Sequence, residues 1–197
     1  MNTRLICTAT LALAVVLISG NALSGEDPLA DAMAKAKKFT APGKHHRELA
    51  YFIGKWDVET RMMMPGMKMP PSKGTAEYKW LIPGRWISSE QRGMMLGAPQ
   101  QSFGIHGYDN FKKKWVTTWV STMDTAMNRS EGVIVDPTGK VTAQYGTLDE
   151  YLTGEHDKPF KTITRRVTND KFEVEIWDLG IGEAGAIVIK QTFARKN

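Results

Sequence analysis

The residues with the most distinctive chemistry form one run, Met62-Met63-Met64-Pro65-Gly66-Met67-Lys68-Met69-Pro70-Pro71. Thioethers are soft donors, so Met64, Met67 and Met69 could offer three sulfurs to Cu(I) from one loop. The same residues suit a flexible apolar rim, because Met62 and Met64 carry core parity and methionine fills irregular gaps. His106 is a lone imidazole in a strand-like run, fit for a hydrogen-bonded wall position or for the axial position of a haem. His45 and His46 are adjacent and diverge on a helix, which is poor geometry for a joint metal site. His156 lies in a Gly-Glu-His-Asp turn. The acidic pairs Glu26-Asp27, Asp149-Glu150 and Glu155/Asp157 fall in loops or near the N-terminus, with no second catalytic group beside them. There is no His-Glu-x-x-His, Gly-x-Ser-x-Gly, phosphate loop or dinucleotide fingerprint. No catalytic residue is assigned, and the reading leans away from an enzyme.

A second set of candidates comes from residues that would share strand faces. Trp80 falls in phase with Tyr78, and Glu90 and Arg92 with Trp86 and Ser88. His106 pairs with Tyr108, Trp119 with Trp115 and Thr117, Glu131 with Arg129, and Arg165 with Ile163 and Val167. The candidate ligand-binding residues are therefore Trp80, Glu90, Arg92, His106, Tyr108, Trp119, Glu131 and Arg165. The charged members are the discriminating ones. Turned inward they must be paired or solvated, which makes a wet, selective cavity; turned outward they are ordinary cross-strand pairs.

The elements that position these residues are legible from periodicity. Asp27 to Phe39 is Ala- and Lys-rich, a weak amphipathic helix or leader with Asp27 as a candidate N-cap and Pro28 in its first turn. A second helix is expected from Lys44 to Phe52, stopped by Gly54. Beyond Gly54 the period changes to two. Strand-like runs are Lys55–Met64, Gly74–Ile82, Arg85–Arg92, Gln101–Tyr108, Lys114–Thr122, Met127–Val135, Lys140–Thr147, Phe160–Thr168, Phe172–Asp178 and Ala186–Arg195. Turn residues separate them, among them Pro83-Gly84, Gly97-Ala98-Pro99, Asp109-Asn110 and Asn169-Asp170. In the first run Trp56, Val58, Thr60 and Met62 share a face; in the last, Ile187, Ile189, Gln191, Phe193 and Arg195 do. About ten short strands without a crossover helix make an antiparallel meander, which removes its edges best by closing. The expected fold is all-β, an antiparallel up-and-down barrel of about ten strands, with a short N-terminal helix after a signal peptide.

The signal peptide is read from Met1-Asn2-Thr3-Arg4, a short positive region, followed by the apolar run Leu5 to Ile18 and the small residues around Ala22. The run is shorter than the roughly 20 residues a bilayer span needs. The expected organisation is a signal peptide over 1–22, a partly helical leader over 23–43 and the barrel over 44–197. Cleavage would leave no stable membrane anchor and would remove Cys7, the one cysteine, so the mature chain suits an oxidising periplasmic or secreted setting. A chain of 197 residues with 42% apolar and 24% charged residues is ordinary for one globular domain. A single cysteine excludes a disulfide scaffold, a zinc ribbon and an iron–sulfur site.

Particular motifs carry a family resemblance. Gly54-Lys55-Trp56 after a short helix resembles the Gly-x-Trp that opens lipocalin-like (calycin) barrels. In that group a basic residue at the end of the last strand packs over the tryptophan, and Arg195 has the right position and parity. Gly54, Trp56 and Arg195 are the structural signature. His46-x-Glu48-Leu49, Gly74-Thr75, Gly84-Arg85, Gly107-Tyr108-Asp109-Asn110, Thr118-Trp119, Glu131-Gly132 and Phe193-x-Arg195-Lys196 together resemble the bacterial domain-of-unknown-function family 1579, with Phe193 where that family usually has Tyr. The resemblance implies a calycin-like β-barrel and no particular activity.

Partner classes follow from charge and location. The net charge of +5 is small, and Lys112-Lys113-Lys114 and Arg165-Arg166 are expected to be solvated turns or strand edges, so no nucleic-acid partner is expected. Asn128-Arg129-Ser130 is a glycosylation sequon only in a host that glycosylates exported proteins. The reading is an exported barrel that binds a small, partly apolar molecule in its lumen. The alternatives are a Cu(I) protein using the methionine loop, a haem barrel using His106, and a lumenal hydrolase or isomerase using Glu90 or His106.

Overall fold

In the computed structural model of the protein, residues 28–63, 69–151 and 153–196 are described. The expected signal peptide, the Asp27 cap, Met64 and Met67 lie outside them. The chain divides into a unit ending at Ala36 and a unit from Lys37 onward. Helix α1 (Pro28–Thr40) has Asp31 in its first turn and Lys37 and Lys38 in its last, the arrangement that complements a helix dipole. None of its residues is buried. Among the described residues no helix is long and apolar enough to cross a membrane.

The second unit opens with helix α2 (Lys44–Glu48) and a 3₁₀ turn over Leu49–Phe52, in place of one continuous helix. The His46 ring accepts the Gly43 N–H at 3.0 Å and caps the start of α2. Ten strands follow: β1 (Gly54–Met62), β2 (Ser72–Ile82), β3 (Trp86–Met95), β4 (Ala98–Asp109), β5 (Lys114–Ser121), β6 (Asn128–Ile134), β7 (Val141–Glu150), β8 (Glu155–Thr168), β9 (Lys171–Asp178) and β10 (Ala186–Arg195). Each pairs antiparallel with its chain neighbours, and β1 pairs with both β2 and β10, closing the barrel. This is the up-and-down barrel expected from the period-two pattern.

Within the sheet, further local features differ from the sequence expectation. Gly97-Ala98-Pro99 is not all turn. Leu96 and Gly97, both at positive φ, make a two-residue hairpin, and Ala98 and Pro99 already pair with Met95 and Met94. Pro99 fits because β5 ends at the level of Ser102, so β4 has only one neighbour there. The β7–β8 hairpin runs further than expected, with Glu150 opposite Glu155. In β10 a bulge between Ile187 and Ile189 changes the phase, so Ile187 lies opposite Trp177 instead of sharing the inner face with Ile189.

The two ends of the barrel differ. The base collects the β2–β3, β4–β5, β6–β7 and β8–β9 turns together with α2 and the 3₁₀ turn. There Trp56, Val58, Ala76, Phe172 and Phe193 form one buried cluster and Leu49, Ile87 and Trp115 another, with Phe52 and Tyr78 packed on both. Phe172 and Phe193 stack with ring centroids 4.2 Å apart.

The signature residues close this end. Trp56 is opposite Arg195 in the β1–β10 pairing, and the guanidinium lies 4.2 Å from the indole centroid. Arg195 also donates to the carbonyls of Ile53 at 2.9 Å and Tyr51 at 2.8 Å, and to Asp170 at 3.0 Å. Gly54 is required twice over: its φ is +126°, and a Cβ would stand 3.0 Å from Arg195 Nη1. Asn110 donates from its side chain to the Phe39 and Ala41 carbonyls at 3.0 and 2.8 Å, fastening the chain that leads into α2.

Candidate functional site

The inward residues of the ten strands enclose a lumen of about 780 Å³, lined from Glu48 and Arg166 at the base to Leu96, Asp124 and Asp178 at the other end, the mouth. Its wall is mixed by construction. Met62, Met95, Val174, Ile176, Val188 and Ile189 supply apolar surface, and Trp119 and Phe160 meet edge-to-face at 5.4 Å within it. Between them stand neutral polar side chains, some of them paired within the wall. Ser130 donates to Gln144 Oε1 at 2.9 Å, and Gln191 Nε2 donates to Thr60 at 3.1 Å.

The centre of the wall is His106. Its Nε2 is 2.8 Å from Ser89 Oγ and its Nδ1 is 3.2 Å from Thr117 Oγ1, so β3, β4 and β5 are joined by one side-chain chain. Gly104, two residues away on the same face, makes room for it; a Cβ there would stand 2.7 Å from Ser89 Oγ. Burial lowers the His106 pKa to about 4, so the ring is neutral at pH 7. Burial likewise raises the pKa of Tyr78, whose ring lies 5.8 Å from that of His106. Trp115 also faces this cavity, and its buried Nε1–H has no hydrogen-bond partner among the described residues.

Charge is confined to the two ends. At the base Arg166 is 3.8 Å from Glu48 and donates to the Gly139 carbonyl. At the mouth Asp124, Asp149, Glu150 and Asp178 line the opening together with Lys158. Lys158 lies 2.8 Å from Asp178 and 3.0 Å from Glu155, and these hydrogen bonds raise its pKa to about 12.

Of the eight residues singled out from the sequence, His106 and Trp119 line the lumen. Trp80 and Tyr108 have inward parity but sit at the base. Trp80 packs against the Leu49–Ile87–Trp115 cluster, and Tyr108 lies against His45 with ring centroids 4.3 Å apart. The four charged candidates are not among the lumen residues, the second of the two orientations that the sequence left open. Arg92 donates to Glu90 at 2.8 Å on the outer face. Glu131 accepts from Lys112 at 2.7 Å and Lys114 at 2.8 Å, which lowers its pKa to about 2 and answers much of the lysine run. Arg165 lies 3.9 Å from Glu175. Met69 is half-buried and is not among the lumen residues.

The residues that sequence reasoning missed are the partners of His106 and the neutral groups of β3, β6 and β7. Ser89 and Gln91 occupy the face opposite Glu90 and Arg92, and Asn128 and Ser130 the face opposite Arg129 and Glu131. Glu–Arg alternation on one face was the usable signal, because uncompensated charge belongs in water. Trp86 on that same face argued the other way.

The donor sets for two cofactors can be tested directly. A haem iron needs a free imidazole nitrogen, and both nitrogens of His106 are engaged by Ser89 and Thr117, so the geometry does not fit axial ligation. Among the described residues no group of three His, Cys, Asp or Glu is placed to hold a metal.

The model of the family described as "Protein of unknown function (DUF1579)" matches residues 41–195, which takes in α2 and every strand. The chain belongs to this family. No curated protein matches the sequence. Among solved structures the chain is similar to Rv2717c from M. tuberculosis, with 11% identity and a TM-score of 0.60 over 79% of this chain and 99% of that one. At that identity the likeness shows the fold alone. A de novo fluorescence-activating β-barrel is 15% identical over 75% of this chain and 96% of that one, at a TM-score of 0.42. A redesigned barrel, mFAP1, bound to DFHBI is 13% identical over 76% and 99%, at a TM-score of 0.40.

Proposed function

We propose that this chain is an exported binding protein that holds a small, partly apolar molecule in its barrel lumen. The observation that carries the reading is the cavity itself. About 780 Å³ falls within the roughly 300–1,000 Å³ of small-molecule sites, and its apolar wall is interrupted by a few convergent polar groups. A barrel of ten strands is wider than its side chains fill, because diameter grows with strand number. Export rests on the charged start, apolar run and small residues of positions 1–22.

Binding without catalysis is favoured by the chemistry of the serine–histidine pair in the wall. Ser89 and His106 are hydrogen-bonded, but the group orienting His106 is the neutral Thr117 and not a carboxylate. An imidazolium formed during proton transfer would be buried without a countercharge, and the lowered pKa of His106 shows how unfavourable that is.

The test is a titration of the purified protein with a neutral fluorescent apolar probe, N-phenyl-1-naphthylamine. Saturable binding is expected, with tryptophan emission changing in parallel. Trp119→Ala should weaken it about tenfold, since truncating a desolvated aromatic contact costs about 1 to 3 kcal/mol. An unsaturable, Trp119-independent response would overturn the binding reading.

A further inference from the structure

We infer that the lumen takes neutral molecules bearing a hydroxyl or carbonyl group, reads that group at Ser89, and discriminates against carboxylates of the same length. The inference rests on the ligand-binding reading above and names the ligand class of that site.

Between mouth and base the lumen wall offers an anion no countercharge. Its inward polar groups between mouth and base are hydroxyls, amides and one imidazole that is neutral at pH 7. Of the cations along the cavity, Arg166 at the base is engaged by Glu48 and the Gly139 carbonyl, Lys158 at the mouth by Asp178 and Glu155, and Lys140 lies exposed in the turn between β6 and β7, outside the lumen proper. A carboxylate drawn inside would lose its hydration without a countercharge, which is the costly case of burial. On the way in it would pass Asp124 and Asp149, which repel it further.

A neutral polar group meets the opposite situation. Ser89 Oγ faces the lumen and uses one hydrogen-bonding capacity on His106. A hydroxyl can both donate and accept, and neutral imidazole has two tautomers. If Nε2–H donates to Ser89, the serine hydrogen is free to donate to a ligand carbonyl. In the other tautomer Ser89 donates to Nε2, and its lone pair is free to accept from a ligand hydroxyl. Thr117 on Nδ1 accommodates either tautomer, because its own hydroxyl also donates or accepts. The chain therefore adapts to a donor or an acceptor without creating charge.

The experiment is displacement of N-phenyl-1-naphthylamine at pH 7.5 by decane, 1-decanol, 2-decanone and decanoate. Decanol and decanone are expected to compete at concentrations at least tenfold below decanoate. Ser89→Ala should weaken decanol and decanone about fivefold and leave decane unchanged, a selectivity that simple apolar partitioning would not produce. Thr117→Val, which removes the hydroxyl on His106 Nδ1 and keeps the shape, should weaken decanol by a smaller factor. Asp124→Asn with Asp149→Asn should narrow the gap to decanoate. Failure of the probe itself to bind would overturn the lumenal reading underneath. Probe binding with decanoate equal to decanol, or with decanol indifferent to Ser89→Ala, would leave that reading standing and overturn this inference alone.

Discussion

Acid should destabilise this barrel well above the range in which its carboxylates titrate, and His106 is the reason. Its pKa is near 4 in the folded protein, because the ring is enclosed in the wall, against 6.5 for the free side chain. The folded pKa is the lower one, so the unfolded chain binds the proton more readily between these values. Stability is therefore complete above pH 6.5 and falls as the pH drops toward 4, with no further loss from this group below that. One unit of difference is worth about 1.4 kcal/mol. Going from pH 7.5 to 5.0 moves the unfolded histidine from almost uncharged to almost fully protonated while the folded one stays neutral. The expected loss is about 2 kcal/mol. Part of the ring faces the lumen, where water softens the burial, so this figure is an upper bound.

The assay is urea unfolding at pH 7.5, 6.5, 5.5 and 5.0, for the parent chain and for His106→Gln. Glutamine cannot titrate, so the stability difference between the two proteins isolates this residue. His46, whose pKa is also lowered chiefly by burial, is present in both and cancels. The difference should shift by up to about 2 kcal/mol across the series, in the direction that penalises the parent at low pH. A difference that stays constant would refute the neutral, enclosed imidazole at the centre of the wall. Saturating the lumen with an apolar probe should steepen the effect, because displacing water raises the cost of protonation.

Replacing Arg195 by Ala removes a guanidinium–indole contact and hydrogen bonds to Ile53, Tyr51 and Asp170, and should cost about 3 kcal/mol in denaturant unfolding. Probe affinity in the folded fraction should be unchanged, since Arg195 is not among the residues that line the lumen. Gly54→Ala should lower the melting temperature by a ΔΔG of about 1 to 3 kcal/mol, because alanine is strained at a φ of +126° and would press on Arg195. Changing Met64, Met67 and Met69 together to Leu should leave stability within about 1 kcal/mol, as the side chains are close in volume; loss of Cu(I) binding in that variant would establish a copper site in the loop. N-terminal sequencing of protein recovered outside the cytoplasm should start between Leu23 and Glu26, and a start at Met1 would refute export by cleavage.

The sequence by itself determined the architecture. Alternation with a period of two, broken at about ten-residue intervals, leaves few ways to satisfy strand edges, and closure by pairing β1 with β10 is the most complete. It also determined the base, because Gly54, Trp56 and Arg195 are identities with one geometric use together. Only the tertiary structure decided which face of each middle strand looks inward. In β3 and β6 both faces mix apolar and polar side chains, so alternation shows that two faces exist without ranking them. The ranking comes from closure, which turns one face of every strand toward a shared lumen at once. That placed Glu90, Arg92, Glu131 and Arg165 in water, beside opposite charges on their own or neighbouring strands. It placed Ser89, His106 and Thr117 together inside, although they lie on three different strands. Contacts across a barrel wall depend on register between strands, and register is set by the hydrogen-bonded ladder and its turns, not by the local identity of any one residue.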